Sequence, residues 1–319
     1  MTAVLEVRDL QTEYELEGGT AYAVSGVSFT LHQGRVLGLV GESGCGKSAT
    51  ALSLMRLLPA LGRVTAGSVR LAGRELLTLS EQEMQGVRGA EMAMVFQEPM
   101  TALNPVFTVG NQIAEAVWLH RRLGWRDAWA RAVELLAEVG IPDPSRRARD
   151  YPHQLSGGMR QRVMIAIAIA CEPRVLIADE PTTALDVTIQ AEILDLLRSL
   201  REKRGMAILL ITHDLGVVAE EADEVAIMYA GRIIEYAAVG DIFAHPQHPY
   251  TRALLRAVPG GQPRGARLEA IAGTVPDLLH LPSGCAFRPR CALAVTECAA
   301  SVPPLLEKTP RHPVACIKA

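Results

Sequence analysis

Apolar and polar positions alternate in short runs through the first 75 residues, at Leu5–Val7, Gly26–Leu31 and Ser68–Leu71, with glycines between the runs. A period of two interrupted by Gly predicts strands joined by hairpins. Val36–Val40 is apolar without alternation, ends at Gly41, and is followed by a helical pattern over Lys47–Leu58. That order predicts a buried strand, a Gly-rich turn and a helix. Helical spacing returns over about Thr108–Val139, where Trp118, Trp125 and Trp129 stand among charged residues, and Pro142, Pro144 and Pro152 then break it. Beyond them the pattern predicts a helix over Gly157–Ala170, a strand at Val175–Ala178, a helix over Val187–Arg204 and a strand at Ala207–Thr212. Strands alternating with helices imply an α/β fold with a mainly parallel sheet. After about Gly240 Pro, His, Gly and Cys become frequent, so a small C-terminal domain is expected over 241–319, following a larger one over 1–240.

A length of 319 residues allows two such domains. The formal net charge of -3 supplies no basic stripe for a phosphate backbone, which argues against nucleic acid as a partner. The longest apolar runs, Val163–Cys171 and Met206–Ile211, are too short to cross a bilayer and predict a buried helix and a buried strand. Residues Met1–Leu10 include acids and lack a basic start before a long apolar stretch, so no secretion signal is expected. The expected location is cytosolic, with any membrane role acting through partners.

The turn after Val36–Val40 reads Gly41-Glu-Ser-Gly-Cys-Gly-Lys47-Ser48, a Walker A pattern. Its glycines let backbone N–H groups point inward around phosphate oxygens, and the following helix N-terminus adds a favourable dipole. Gly41, Ser43, Gly44, Cys45, Gly46 and Ala49 would line the phosphates, Lys47 would neutralise the β and γ groups, and the Ser48 hydroxyl would bind Mg²⁺. Downstream, Val175–Ala178 runs into Asp179 and Glu180. Two carboxylates ending a buried strand are costly unless a cation sits there. Asp179 would hold Mg²⁺ through water, and Glu180 would orient and deprotonate the attacking water.

Leu155-Ser-Gly-Gly-Met-Arg-Gln-Arg162 resembles the signature sequence of ABC ATPases. Ser156 and the amides of Gly157 and Gly158 form an anion receptor at a helix start; in that family it faces the γ-phosphate held by a second subunit. The same resemblance makes Gln97 the Q-loop glutamine at Mg²⁺ or the water, Ala184-Leu-Asp186 the D-loop, and His213 the switch histidine. It expects an aromatic on adenine, where Tyr14 fits better than Tyr22. The stretches Phe96–Pro105, Asp179–Gln190 and His245–Leu255 narrow the resemblance to ATPases of dipeptide, oligopeptide and nickel importers. Met159 stands where most ABC signatures have Gln, and Ala49 where many members have a phosphate-contacting Thr.

The resemblance implies a RecA-like P-loop core with an antiparallel β subdomain, a helical subdomain at about 97–170 and the small C-terminal domain. It implies an ATP- and Mg²⁺-dependent ATPase peripheral to the cytoplasmic face of the membrane. Its partners would be a second ATPase chain, identical or paralogous, two transmembrane permease subunits and an extracytoplasmic solute-binding protein. A soluble ABC ATPase acting on protein or nucleic acid is the alternative; tandem motor domains or a long coiled coil would mark it, and neither is present. A small-molecule kinase would leave the signature, Gln97 and His213 unexplained.

Cys285, Cys291, Cys298 and Cys316 crowd the last 35 residues, with five, six and 17 residues between successive cysteines. Clustered thiols in a reducing compartment suggest metal more than disulfides. The spacing is wider than that of common zinc or ferredoxin motifs and leaves the metal unnamed. The resemblance covers this segment too, and some peptide-importer ATPases carry a [4Fe–4S] cluster there; zinc and free thiols are the other readings.

Overall fold

A computed structural model describes residues 2–183, 185–257 and 271–319. The chain divides into two compact units, one formed by residues 2–4, His32–Arg35 and Thr78–Leu209, the other by Leu5–Leu31, Val36–Leu77 and Leu210 onward.

In the first unit, strands Met92–Val95 and Val175–Asp179 pair in parallel, with Met92 opposite Val175 and Val95 opposite Ala178. Every residue of both strands is buried, and all but the terminal Asp179 are apolar, the pattern of a sheet covered on both faces. The strand Ala207–Thr212 begins here, its Ala207 N–H donating to Arg174 O and its Ile208 N–H to Arg35 O, each at 2.9 Å. Where the sequence predicts continuous helical character, the chain forms two helices, Val109–Arg121 and Trp125–Glu138. Arg122 turns left-handed at φ 53°, and Thr108 and Gly124 stand at the N-cap positions. Val109, Ile113, Ala114 and Val117 on one helix and Ala128, Ala132, Leu135 and Leu136 on the other are buried. Both helices pack on Gly157–Ile169, whose Val163–Ile169 segment is the buried helix the sequence predicts. Each such Leu, Ile or Val contributes about 1.5–3 kcal/mol by leaving water. Helix Val187–Arg204 ends at left-handed Gly205, and Arg204 ties the packing together, bonding Glu138 through both carboxylate oxygens at 2.7 Å and Ile169 O at 2.7 Å.

In the second unit, an antiparallel sheet runs in the order Gly19–His32, Ala3–Leu16, Gly62–Leu71, Arg74–Glu75. A bulge at left-handed Asp9 shifts its register between Arg8 and Gln11. A separate ladder starts at Val36–Val40, which pairs in parallel with Glu224–Tyr229; antiparallel strands Arg232–Ala238, His312–Val314 and Leu306–Thr309 follow in order. Thus residues after 300 complete a sheet begun near residue 36. Glu235, wholly buried, fixes that edge: it accepts the N–H of Gln247 at 2.6 Å and of His248 at 2.9 Å, and bonds His312 Nε2 at 2.7 Å. Burial, with Arg252 nearby, holds His248 down to about 3, so it is a neutral acceptor for the Tyr250 N–H. Among the described residues no helix is long and apolar enough to cross a membrane.

Candidate functional site

In the second unit, Val36–Val40 is buried at every position, and its loop leads into helix Lys47–Met55. Gly46 occupies the helix N-cap at φ 107° without a side-chain cap. A Cβ there would lie 2.1 Å from Ala23 O, so both conformation and space demand glycine. Ser43, Gly44 and Ser48 are exposed, Gly46 and Ala49 partly so, and Gly41 and Cys45 are buried. Burial pushes the Cys45 thiol up, against the pull of Lys47, so Cys45 serves as a packed apolar residue. Lys47, 5% exposed, turns its ammonium back over the loop and donates to Gly41 O at 2.7 Å and Glu42 O at 3.1 Å. The result is a glycine loop at a helix start with one buried cation above it, the form of a phosphate receptor.

The same unit holds His213, exposed between strand Ala207–Thr212 and helix Leu215–Glu221. Asp214 caps that helix by accepting the N–H groups of Gly216 and Val217. Tyr14 is paired with Gly62, and its ring lies so close that a Cβ on Gly62 would fall 2.8 Å from it. Tyr22 is 46% exposed.

In the first unit, Asp179 is 4% exposed at the end of its strand, and Glu180 follows in the left-handed region at φ 46°. A glutamate held there costs on the order of 1–3 kcal/mol, a strain found mainly at functional sites. The Glu180 carboxylate accepts Gln97 Nε2 at 2.9 Å and Thr183 Oγ1 at 2.9 Å. The structure therefore joins Gln97 and Glu180, which lie 83 positions apart. A carboxylate aimed by two donors at the mouth of a buried strand can orient and deprotonate a water.

Ser156 caps helix Gly157–Ile169, its Oγ accepting the Met159 N–H at 3.3 Å, and Ser156 and Gly157 are exposed. A Cβ on Gly158 would lie 2.8 Å from Ile189 Cγ2, so Gly158 is required by packing against helix Val187–Arg204 as well as by any anion. Asp186 caps that helix through the Ile189 N–H at 3.0 Å; Ala184 lies outside the described residues.

Cys285, Cys291, Cys298 and Cys316 all line one cavity of about 20 Å³, beside His248, Phe287 and Arg288. That volume holds about one water. Among the described residues no three His, Cys, Asp or Glu side chains are drawn together as a metal site. The donor set is four thiols of one kind, the ligand chemistry of an iron–sulfur cluster, around a cavity with room for about one water. Burial pushes the Cys285 and Cys291 thiols up, and nearby Cys298 and Cys316 add to this.

Thr183, Arg290, Tyr250, Glu235 and His312 were not singled out from sequence. Thr183 and Tyr250 nonetheless stand within the stretches that carry the resemblance, and Arg290 and His312 within the cysteine-containing C-terminal segment that it also covers; that position was the available signal.

Residues 24–183 match the ABC transporter family, and residues 234–298 match the oligopeptide/dipeptide transporter C-terminal region. A probable peptide ABC transporter ATP-binding protein of Sinorhizobium fredii is 54% identical, over 98% of this chain and 94% of its own length. The dipeptide transport ATP-binding protein DppD of Bacillus subtilis is 50% identical over 99% and 95%. Among solved structures, the ATP-binding cassette MJ0796, a dimer in a post-hydrolysis state bound to ADP and Pi, matches with a TM-score of 0.67 at 26% identity, over 74% of this chain and 98% of that one. The cbiO1 protein of Clostridium perfringens, part of the ABC transporter complex cbiONQ, matches with a TM-score of 0.65 at 27% identity, over 77% and 92%. With these sequence matches spanning nearly its whole length, the chain belongs to the ATP-binding subunits of ABC transporters, in the branch that carries the oligopeptide/dipeptide C-terminal region.

Proposed function

We propose that this chain hydrolyses ATP to drive the import of dipeptides, oligopeptides or a closely related small solute. The observation that carries this reading is the presence, in one chain, of a phosphate loop, a signature helix and the oligopeptide/dipeptide C-terminal region. Residues 1–240 form the nucleotide-binding part, with a helical subdomain at about 97–170, and residues 241–319 form the accessory part. Lys47, Ser48 and the amides of residues 41–49 take the phosphates and Mg²⁺, with Asp179 and Gln97 as further contacts to the metal and its water. Tyr14 stacks on adenine, Glu180 acts on the attacking water, and His213 contacts the γ-phosphate. Ser156, Gly157, Gly158 and Asp186 meet the nucleotide held by a second ATPase chain, identical or paralogous. Mg²⁺, when bound, supplies charge neutralisation at the transferring phosphoryl group.

Two permease subunits and an extracytoplasmic solute-binding protein complete the assembly at the cytoplasmic face of the membrane. Exposed apolar residues just after Gln97 support a docking surface: Met100 is 50%, Val106 70% and Phe107 51% exposed. A tagged chain drawn from native membranes in mild detergent is expected to bring down both permeases and the binding protein. Val106→Ser with Phe107→Ser is expected to lower that recovery at least several-fold while ATP binding persists. Recovery from cytosol alone would sink the importer reading, and undiminished recovery with the double variant would move the docking surface elsewhere.

We also propose that Cys285, Cys291, Cys298 and Cys316 hold a [4Fe–4S] cluster with a structural role, supported by their place on one cavity. Anaerobically purified protein is expected to contain about four iron and four sulfide per chain, with broad visible absorption lost on Cys298→Ser. One zinc per chain, or less than one metal equivalent per four cysteines, would refute the cluster.

A further inference from the structure

Glu42 is the second residue of the phosphate loop. An unneutralised carboxylate there opposes the approach of a triphosphate. The structure supplies its counter-charge from a distant part of the chain. Arg290 Nη1 lies 2.6 Å from Glu42 Oε2 and its Nη2 3.0 Å from Oε1, a bidentate pair in which the arginine side chain is 4% exposed. The rest of the guanidinium is also engaged: Nε donates to Ala272 O at 2.9 Å, and Nη1 also reaches Tyr229 Oη at 3.4 Å. A second hold comes from Tyr250, whose Oη accepts the backbone N–H of Glu42 at 3.0 Å. Tyr229, Tyr250 and Phe287 pack on one another, ring centroids 4.7–5.3 Å apart, and form a dry wall around these bonds.

Arg290 immediately precedes Cys291, and Tyr250 opens helix Pro249–Arg256. Both residues hold Glu42, in the loop read as the one that takes the phosphates. A purely structural ion pair needs no such address, and a buried pair is often no more stabilising than an apolar one.

We propose that Arg290 is a positioning residue for the nucleotide that acts by masking the Glu42 carboxylate, while Tyr250 holds the Glu42 amide, so that ATP affinity depends on the C-terminal segment. This rests on the reading of residues 41–49 as the ATP site. Arg290 touches no reacting atom. Its loss acts on the ground-state affinity for ATP, while the hydrolytic groups stay in place.

The test uses the full-length chain, a fluorescent ATP analogue titrated with Mg²⁺ present, and steady-state hydrolysis. Arg290→Met is expected to raise both Kd and KM for nucleotide roughly 10-fold or more, with kcat within about 2-fold of wild type. Arg290→Lys keeps a charge without the fork and is expected to fall between the two. Glu42→Gln alone is expected to bind at least as tightly as wild type. The double variant Glu42→Gln, Arg290→Met is expected to recover affinity to within about 3-fold of Glu42→Gln, because no carboxylate remains to be masked. Unchanged Kd in Arg290→Met overturns the proposal. So does a weakening that persists in the double variant, which would trace to a damaged fold instead of an exposed charge. If the wild-type chain itself binds no nucleotide, the ATP site falls and the brace with it.

Discussion

Glu180→Gln is expected to bind ATP as the wild type does and to hydrolyse it about 10²–10⁴-fold more slowly, the range that a positioned general base contributes. The geometry makes this substitution a narrow one. Glutamine keeps the length of the side chain and an oxygen able to accept from Gln97 Nε2 and Thr183 Oγ1, the two donors that aim the carboxylate. The backbone at φ 46° is unaffected by the exchange of oxygen for nitrogen. What is lost is the negative charge and the capacity to take a proton from water. Thr183→Ala, which removes one aiming bond and leaves the base, is expected to slow turnover less, by about 10-fold or under. Parallel measurements of nucleotide Kd and single-turnover hydrolysis separate the two effects. Turnover of Glu180→Gln within a few-fold of wild type would remove Glu180 from its role, and a large loss of affinity would mean that the substitution damaged the site.

Glu235→Ala is expected to destabilise the protein by about 3–5 kcal/mol, the cost of leaving several hydrogen-bonding groups of a buried network without their shared partner. Glu235 has no solvent exposure and satisfies three groups: the amides of Gln247 and His248, and the His312 ring. Alanine leaves the buried His248 N–H, the half-buried Gln247 N–H and the His312 ring nitrogen without this acceptor, at about 1–3 kcal/mol for each group left unsatisfied, less whatever relaxation water allows. The exposed pair Arg8–Glu6 gives the contrast; its removal is expected to change stability by at most about 1 kcal/mol. Urea unfolding followed by tryptophan fluorescence and circular dichroism measures both. An unchanged midpoint for Glu235→Ala would show that the network carries no net stability. A double variant with His312→Ala is expected to cost less than the sum of the single ones, since the two residues share a bond.

Much of the ladder of buried strands was legible. Val36–Val40 and Ala207–Thr212 occupy the predicted residues, because apolar runs bounded by Gly or Thr leave little freedom of register, and helix Val187–Arg204 matches its predicted bounds too. Helix Lys47–Met55 stops short of the predicted Leu58, since Arg56 turns left-handed at φ 50° with no glycine to announce it. The break at Arg122–Gly124 escaped notice because the helical spacing of Thr108–Val139 runs on across it. Gln97 and Glu180 were each expected at the metal or its water, but their hydrogen bond was not legible; no periodicity relates residues 83 apart. Arg290 and Glu42, 248 positions apart, and Glu235 and His312, 77 apart, were out of reach for the same reason. Local pattern reports which face of an element is apolar, whereas these pairs depend on how elements far apart in sequence meet.

Part of the wall of the phosphate loop, Met228, Tyr250 and Arg290, comes from residues made long after the loop itself. Gly46 is packed against Ala23 and the Met228 side chain, and Glu42 is held by Tyr250 and Arg290. During vectorial synthesis, residues 41–48 leave the ribosome early and wait for more than two hundred further residues before that enclosure can close. A nascent chain that has not reached Arg290 carries the motif without the completed receptor. A ligand stabilises only the state that binds it, so with this loop as the ATP site, ATP is expected to stabilise the finished unit and to offer little to a half-made one.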